Sequence, residues 1–276
     1  MAEVSLLRAV GRGLAFAALN LVLVPLFLLV GVLNATLGRA LIRLYCRATC
    51  LILGVAVRRA GEPFRACPTL YVANHVSYLD IVVLGALLDA TFIAKMEVAS
   101  WPLFGQLGRL TGTFFIRRRW RDALVQRNAL AARMRAGESF VLFGEGTSTD
   151  GLAVRRFKTS LLSVAEPWIL DRPVAVQAVT LAFLRLGDGT PIGPDNCDHY
   201  AWHGDAEFLP HLWNVLRREG LAVTVVLDAP VLSWSVASRK RLGAELEERI
   251  ATNLAALRRG ASVAADEPGA AVPQRA

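Results

Sequence analysis

Tyr71-Val-Ala-Asn-His-Val-Ser-Tyr-Leu-Asp80 sets a histidine directly behind a short apolar run and an aspartate five residues after it. The apolar run Leu70–Ala73 reads as a buried strand, and Asp80–Leu88 has the spacing of a helix. A histidine just past a strand end sits where side chains reach a cleft, and a carboxylate one turn later can fold back onto its ring. That pair, His75 and Asp80, is the minimum for a general base. One imidazole nitrogen takes a proton while the carboxylate holds the other N–H and sets the tautomer.

The same strand-then-helix pattern continues outward from this stretch. Apolar runs recur at Val55–Val57, Phe92–Ala94, Thr113–Ile116, Phe140–Phe143, Val174–Thr180 and Leu221–Leu227. Helical patterns lie between and after them, at Pro102–Leu110, Arg121–Arg135, Phe157–Glu166, Glu207–Arg218 and Ser238–Arg258. This alternation predicts an α/β fold, a mostly parallel twisted sheet flanked by helices on both faces. In such sheets ligands gather beyond the carboxyl ends of the strands. His75, Arg117–Arg119 and Gly144–Ser148 each follow a predicted strand and are expected to face one cleft.

Upstream, the chain is of a different kind. No charge occurs from Gly13 to Gly38, and Leu14–Leu33 is long enough to cross a hydrocarbon core of roughly 30 Å. Arginines flank it on both sides (Arg8 and Arg12, then Arg39, Arg43 and Arg47), so charge bias selects no orientation. A true transmembrane helix and a helix bent around Pro25 with both ends on one basic face are equally consistent. The i, i+4, i+8 spacing of Arg39, Arg43 and Arg47 predicts an interfacial helix lying on anionic lipid. The expected organisation is a membrane-anchoring helical region over 1–50, a catalytic domain over 51–259, and a disordered tail over 260–276, where small residues, Pro and Gly dominate.

Of the 276 residues 54% are hydrophobic, and the formal net charge is +8, carried by 28 arginines and only three lysines. The basic residues are dispersed and no nucleic-acid motif occurs, so a membrane surface is the expected partner. Four cysteines (Cys46, Cys50, Cys67, Cys197) show no metal-ligand spacing and read as reduced thiols of a cytoplasmic domain. No metal or organic cofactor is expected.

Two further segments bear on chemistry. Gly112-Thr-Phe-Phe-Ile-Arg-Arg118 suits a strand whose tip offers a guanidinium to an anion, and Arg makes forked contacts to phosphate that Lys cannot. Phe143-Gly-Glu-Gly-Thr-Ser-Thr-Asp-Gly151 permits a tight turn with backbone N–H groups facing a ligand. It is not a P-loop, and no G-x-S-x-G elbow occurs, which disfavours a serine hydrolase. Phe157-Lys-Thr-Ser160 is expected to open a helix whose N-terminus favours an anion. His199, His203 and His211 read as surface residues, with His203 near Asp205 as a possible head-group contact.

Taken in order, these segments resemble the glycerolipid acyltransferase superfamily of the 1-acylglycerol-3-phosphate acyltransferase type. Its N-H-x4-D block matches Asn74, His75 and Asp80, and its G-x-x-F-I-x-R block matches Gly112, Phe115, Ile116 and Arg118. Its F-P-E-G-T-R block matches Phe143, Glu145, Gly146 and Thr147, and the following F-K matches Phe157 and Lys158. Gly144 replaces that block's proline, Ser148 its arginine, and Ser160 a common glycine. With Ala201–Asp205 and Leu209–Trp213, the chain looks like the branch that includes lyso-ornithine lipid O-acyltransferases. The resemblance implies acyl transfer from an acyl carrier protein or coenzyme A thioester to a lysolipid hydroxyl, at a bacterial inner membrane with the catalytic domain on the cytoplasmic side. The acceptor would be lyso-ornithine lipid, lysophosphatidic acid, or both. It assigns catalysis to His75 and Asp80, and substrate binding to Lys95, Arg118, Glu145, Gly146, Thr147 and Lys158. A lysophosphatidic acid-specific enzyme and a non-catalytic membrane scaffold are the rival expectations.

Overall fold

The computed structural model describes residues 5–31, 33–101, 104–117, 119–170 and 172–260. Arg118 and the expected tail beyond Gly260 therefore lie outside the described residues.

The chain opens with α1 (Leu6–Leu26), capped by the Ser5 side chain and continued by a π-helical turn over Phe27–Gly31. Asn34 then caps α2 (Ala35–Leu53), which returns alongside α1. Pro25 is accommodated inside α1, and the reversal falls beyond the π turn rather than at the proline. Gly31 and Gly38 let the helices close at the tip, since a Cβ on Gly38 would lie 2.7 Å from the Gly31 carbonyl oxygen. Leu6–Gly31 is the one helical run among the described residues that is long and apolar enough to cross a membrane.

Both ends of this hairpin are tied to the rest of the protein. Ser5 N–H donates to the Arg217 carbonyl, and the Arg12 guanidinium donates to the carbonyls of Leu216, Arg218 and Glu219. Arg39 and Arg47 of the α2 arginine series are exposed and Arg43 is partly so, and all three are also tied to the protein. Arg39 and Arg43 both bind the Asp89 carboxylate at 3.2 Å, and Arg47 donates to the Ala86 carbonyl. Helix α2 also exposes Leu37, Leu44 and Leu51, seven residues apart, and α1 exposes Leu7, Leu14 and Leu21 in the same way.

The α/β part follows as β1 (Val55–Ala60), β2 (Thr69–Ala73), α3 (Leu79–Leu87), β3 (Thr91–Lys95), α4 (Phe104–Leu110), β4 (Phe114–Ile116), α5 (Ala123–Arg135) and β5 (Phe140–Phe143). It ends with β6 (Ala175–Leu186), α6 (Phe208–Arg217), β7 (Leu221–Leu227), β8 (Val231–Leu232) and α7 (Arg239–Arg258). The strand order is β1-β7-β6-β2-β5-β3-β4, with β8 on β6. The β2–β5, β2–β6, β3–β5, β3–β4 and β1–β7 pairs are parallel, while β7 and β8 pair antiparallel with β6. The mostly parallel α/β architecture is as expected.

Alternation along the strands divides the core in two. Tyr71, Ala73, Val141 and Leu181 face Cys46, Cys50, Val83 and Leu84 of α2 and α3. Leu70, Val72, Phe140 and Leu142 face Leu130 and Met134 of α5 and Leu246 and Ile250 of α7. The anchor hairpin thus lies on one side of the sheet and α5 and α7 on the other.

The helix expected from Phe157 is not formed. Phe157 N–H donates to Glu247 and Lys158 N–H to the Gly144 carbonyl, which holds this stretch extended. Only a 3-10 turn over Leu161–Ala165 follows. Lys158 therefore lacks the helix N-terminus that was expected to support anion binding there.

Candidate active site

Because β2, β5, β3 and β4 run parallel, their carboxyl ends lie along one edge, and that edge gathers the expected segments. His75 follows β2, Phe143 ends β5, Lys95 ends β3 opposite Ile116 of β4, and Arg117 comes next.

Asn74 is the last rung before His75. Its amide accepts from Leu181 N–H at 2.8 Å and donates to the Leu181 carbonyl at 2.9 Å, so a side chain extends the β2–β6 pairing past the strand end. His75 then turns off the sheet. Its Nδ1 lies 2.7 Å from Asp80 Oδ2, and that oxygen also accepts from the N–H groups of Val76 and Ser77. Asp80 is wholly buried in the first turn of α3, whereas the His75 side chain keeps 20% of its surface exposed. Nδ1 is thereby engaged, and Nε2 is the ring nitrogen available to an incoming group. The imidazole stacks on the Phe143 ring with centroids 4.0 Å apart.

Glu145 has a role that its place among the substrate-binding expectations did not foretell. The carboxylate is buried, with one oxygen accepting from His75 N–H at 2.7 Å and the other from Arg155 N–H at 2.8 Å. Burial pushes its pKa up, and the two backbone donors work against that rise. Both oxygens serve the backbone, so Glu145 is a strut between the His75 loop and the loop after β5. Thr149 adds a second tie, its N–H and hydroxyl both donating to the His75 carbonyl.

In the turn after β5, Gly144 N–H donates to the Ala73 carbonyl and Gly146 N–H to that of Phe143. Gly146 adopts φ 70°, in the left-handed region, and Thr147 is exposed beside it. A Cβ on Gly144 would fall 2.5 Å from the Phe157 ring, and a proline there would forfeit the bond to Ala73. The departure from the family's proline thus has a local cause. Lys158 is exposed and tied to this turn through its backbone. Beyond the ends of β3 and β4 a cleft of about 430 Å³ is lined by Met96, Glu97, Arg117 and Arg119.

Of the remaining histidines, His199 and His203 are partly exposed and His211 departs from the surface expectation. His211 is buried, with Nδ1 3.0 Å from the Tyr78 hydroxyl. His203 pairs with Asp198 at 3.0 Å. Tyr78 also packs against Trp202 and Phe208, and Trp101 against Trp202, forming an aromatic rim whose Tyr78 lies between His75 and Asp80 in the chain. No spacing rule singles these rings out, because they come from four separate segments.

A family model described as Acyltransferase matches residues 57–180. The lyso-ornithine lipid O-acyltransferase of Brucella abortus (strain 2308) is 38% identical over 240 residues, covering 86% of this chain and 90% of that one. The 1-acyl-sn-glycerol-3-phosphate acyltransferase of Neisseria gonorrhoeae is 35% identical over 201 residues, covering 72% and 74%. The crystal structure of the 1-acyl-sn-glycerophosphate (LPA) acyltransferase from Thermotoga maritima superposes with a TM-score of 0.67 at 19% identity, covering 93% of this chain and 99% of that one.

Proposed function

Starting from the premise that the chain belongs to the acyltransferase family, we propose that it moves a fatty acyl group from an acyl thioester to the hydroxyl of a lysolipid, with lyso-ornithine lipid as the principal acceptor. The observation that carries the reaction is the His75–Asp80 pair, with Nδ1 engaged by a buried carboxylate and the imidazole still partly exposed. The acceptor preference rests on the relatives named for lyso-ornithine lipid and on Ser148, which stands where the family pattern has an arginine.

In this reading the acceptor hydroxyl lies against His75 Nε2. The imidazole takes its proton as the oxygen attacks the thioester carbonyl, and Asp80 stabilises the imidazolium. The carbonyl oxygen becomes an oxyanion. The N–H groups of Gly144 and Gly146 are already bonded within the protein, so those of Glu145 and Thr147 are the donors we assign to it. Collapse breaks the carbon–sulfur bond, and His75 returns the proton to the departing thiolate. The acyl group passes directly to the acceptor oxygen, and no covalent acyl-enzyme forms. Lys95 and Arg117 at the ends of β3 and β4, together with Arg118 by its match to the family pattern, would hold anionic parts of donor or acceptor. The donor is an acyl carrier protein or coenzyme A thioester.

The protein associates with the membrane through α1 and α2, whose leucine-lined outer faces meet lipid. We place it at the bacterial inner membrane with the catalytic domain on the cytoplasmic side. The test supplies wild-type and His75→Ala membranes with a labelled acyl thioester, and lyso-ornithine lipid and lysophosphatidic acid in parallel. His75-dependent label in ornithine lipid is the expected result. Label in phosphatidic acid alone would reassign the acceptor, and no His75-dependent label in either would sink the reading.

A further inference from the structure

Helix α6 takes no part in the His75–Asp80 pair, yet it joins the anchor to the cleft. At its first turn the Phe208 ring lies 5.0 Å from Tyr78, 6.1 Å from Trp202 and 6.4 Å from Trp101. At its last turn, the Arg217 carbonyl accepts from Ser5 N–H and from the Arg8 guanidinium, while Arg12 reaches the carbonyl of Leu216. The inward face is filled by His211 and Val215. The outward face presents Leu209, 73% exposed, and Trp213, 42% exposed, one helical turn apart. No acidic residue lies within Phe208–Arg217.

Two large apolar side chains adjacent on an exposed helix face are unfavourable in water and mark a contact. Tryptophan favours the boundary between hydrocarbon and head groups, where its ring is apolar and its N–H wet. What covers this face follows from continuity, because the end of α6 is hydrogen-bonded to the start of α1, whose own outer face carries Leu7, Leu14 and Leu21. We propose that α6 is a second bilayer contact, with Leu209 and Trp213 seated in the interfacial layer beside α1. The lysolipid then moves from the leaflet to His75 along the rim of Trp101, Trp202 and Phe208, without crossing water. The proposal rests on the reading of α1 and α2 as a membrane anchor.

The experiment places a nitroxide on Leu209→Cys, Leu21→Cys or Leu124→Cys, each in a Cys67→Ser background of the full chain. The protein is reconstituted in vesicles of phosphatidylethanolamine and phosphatidylglycerol. Relaxation by oxygen, which concentrates in lipid, is compared with relaxation by a water-soluble nickel chelate. Position 124 lies on α5, across the sheet from the anchor, and should favour nickel. Positions 21 and 209 should both favour oxygen. If 209 favours nickel while 21 favours oxygen, the α6 proposal falls and the anchor stands. If both favour nickel, the anchor reading fails and takes the proposal with it. A 209 label shielded from both reagents would mean a protein contact and overturn the proposal. Trp213→Ser supplies a kinetic arm: KM for vesicle-borne lysolipid should rise severalfold, with kcat/KM for a short-chain, water-soluble lysolipid unchanged. Equal losses on both acceptors would mean damage to the site, not loss of a membrane contact.

Discussion

Asp80 Oδ2 sits 2.7 Å from His75 Nδ1 and 2.7 Å from Val76 N–H, so a single buried oxygen sets both the imidazole and the loop that carries it. Asp80→Asn removes the charge while keeping the contacts. The amide oxygen can take the place of Oδ2 and still accept from Nδ1, Val76 and Ser77, but it is neutral and no longer stabilises the imidazolium that forms as His75 takes a proton. A correctly placed base is worth about 10²–10⁴ in rate. Asp80→Asn and His75→Ala should therefore both lower kcat by factors in that range, with thermal unfolding close to wild type for His75→Ala. More than a few percent of activity left in His75→Ala would remove it as the base.

Asn74 forms two hydrogen bonds to the Leu181 backbone, one in each direction. Asn74→Asp can accept from Leu181 N–H but sets its other oxygen against the Leu181 carbonyl. A buried polar group left unpaired costs about 1–3 kcal/mol. For a domain of this size that is a drop in Tm of roughly 2–4 °C per kcal/mol, read by circular dichroism. An unchanged Tm would show that the side-chain rung is dispensable.

Glu145→Gln keeps the shape of the strut but replaces one acceptor by a donor. The new NH2 group must face the N–H of His75 or that of Arg155. Both Tm and kcat should fall, with KM little altered, because the loop that aims His75 loosens while the ends of β3 and β4 stay in place. A change in KM alone would instead return Glu145 to the substrate-binding residues.

Acid should weaken the fold through His211. Burial holds its pKa below the ordinary histidine value, with Arg218 acting the same way and Asp198 opposing. Unfolded chains then bind more protons below about pH 6.5, so stability present above that pH is lost as pH falls through it. His211→Gln removes the titration and retains a partner for Tyr78. The wild type should lose more Tm than the variant between pH 7.5 and pH 5.5. Parallel losses would exclude His211 as the source.

Gly38→Leu would drive a side chain into the Gly31 carbonyl at the hairpin tip. Overpacking of this kind costs about 1–3 kcal/mol. Tm should fall and retention on membranes after an alkaline wash should decline, while kcat in detergent is kept, because the tip lies far along the chain from His75. Full retention would mean that the helices part there without penalty.

Periodicity sufficed for most of the sheet: the apolar runs at Phe140–Phe143 and Leu221–Leu227 coincide with β5 and β7. Strand β6 extends to Leu186, beyond the expected end at Thr180, because pairing with β7 carries it onward. What local sequence could not carry was decided by distant partners. Arg39 and Arg43 have the spacing of a lipid-facing stripe, but that both would bind Asp89, just past the end of α3, was not legible in that spacing. Phe157 has helical neighbours, yet Glu247, 90 residues away, takes its N–H. The His75–Asp80 pairing was legible since five residues separate the two. The contact of His211 with Tyr78 was not, because it spans 133.

The hairpin of α1 and α2 has a bearing on how such a chain reaches its place in the cell. Its two ends meet at the catalytic half, with Ser5 bonded to Arg217 and the Gly54 carbonyl accepting from Leu221 N–H. An insert that enters and leaves by the same side has no polar stretch to haul through hydrocarbon.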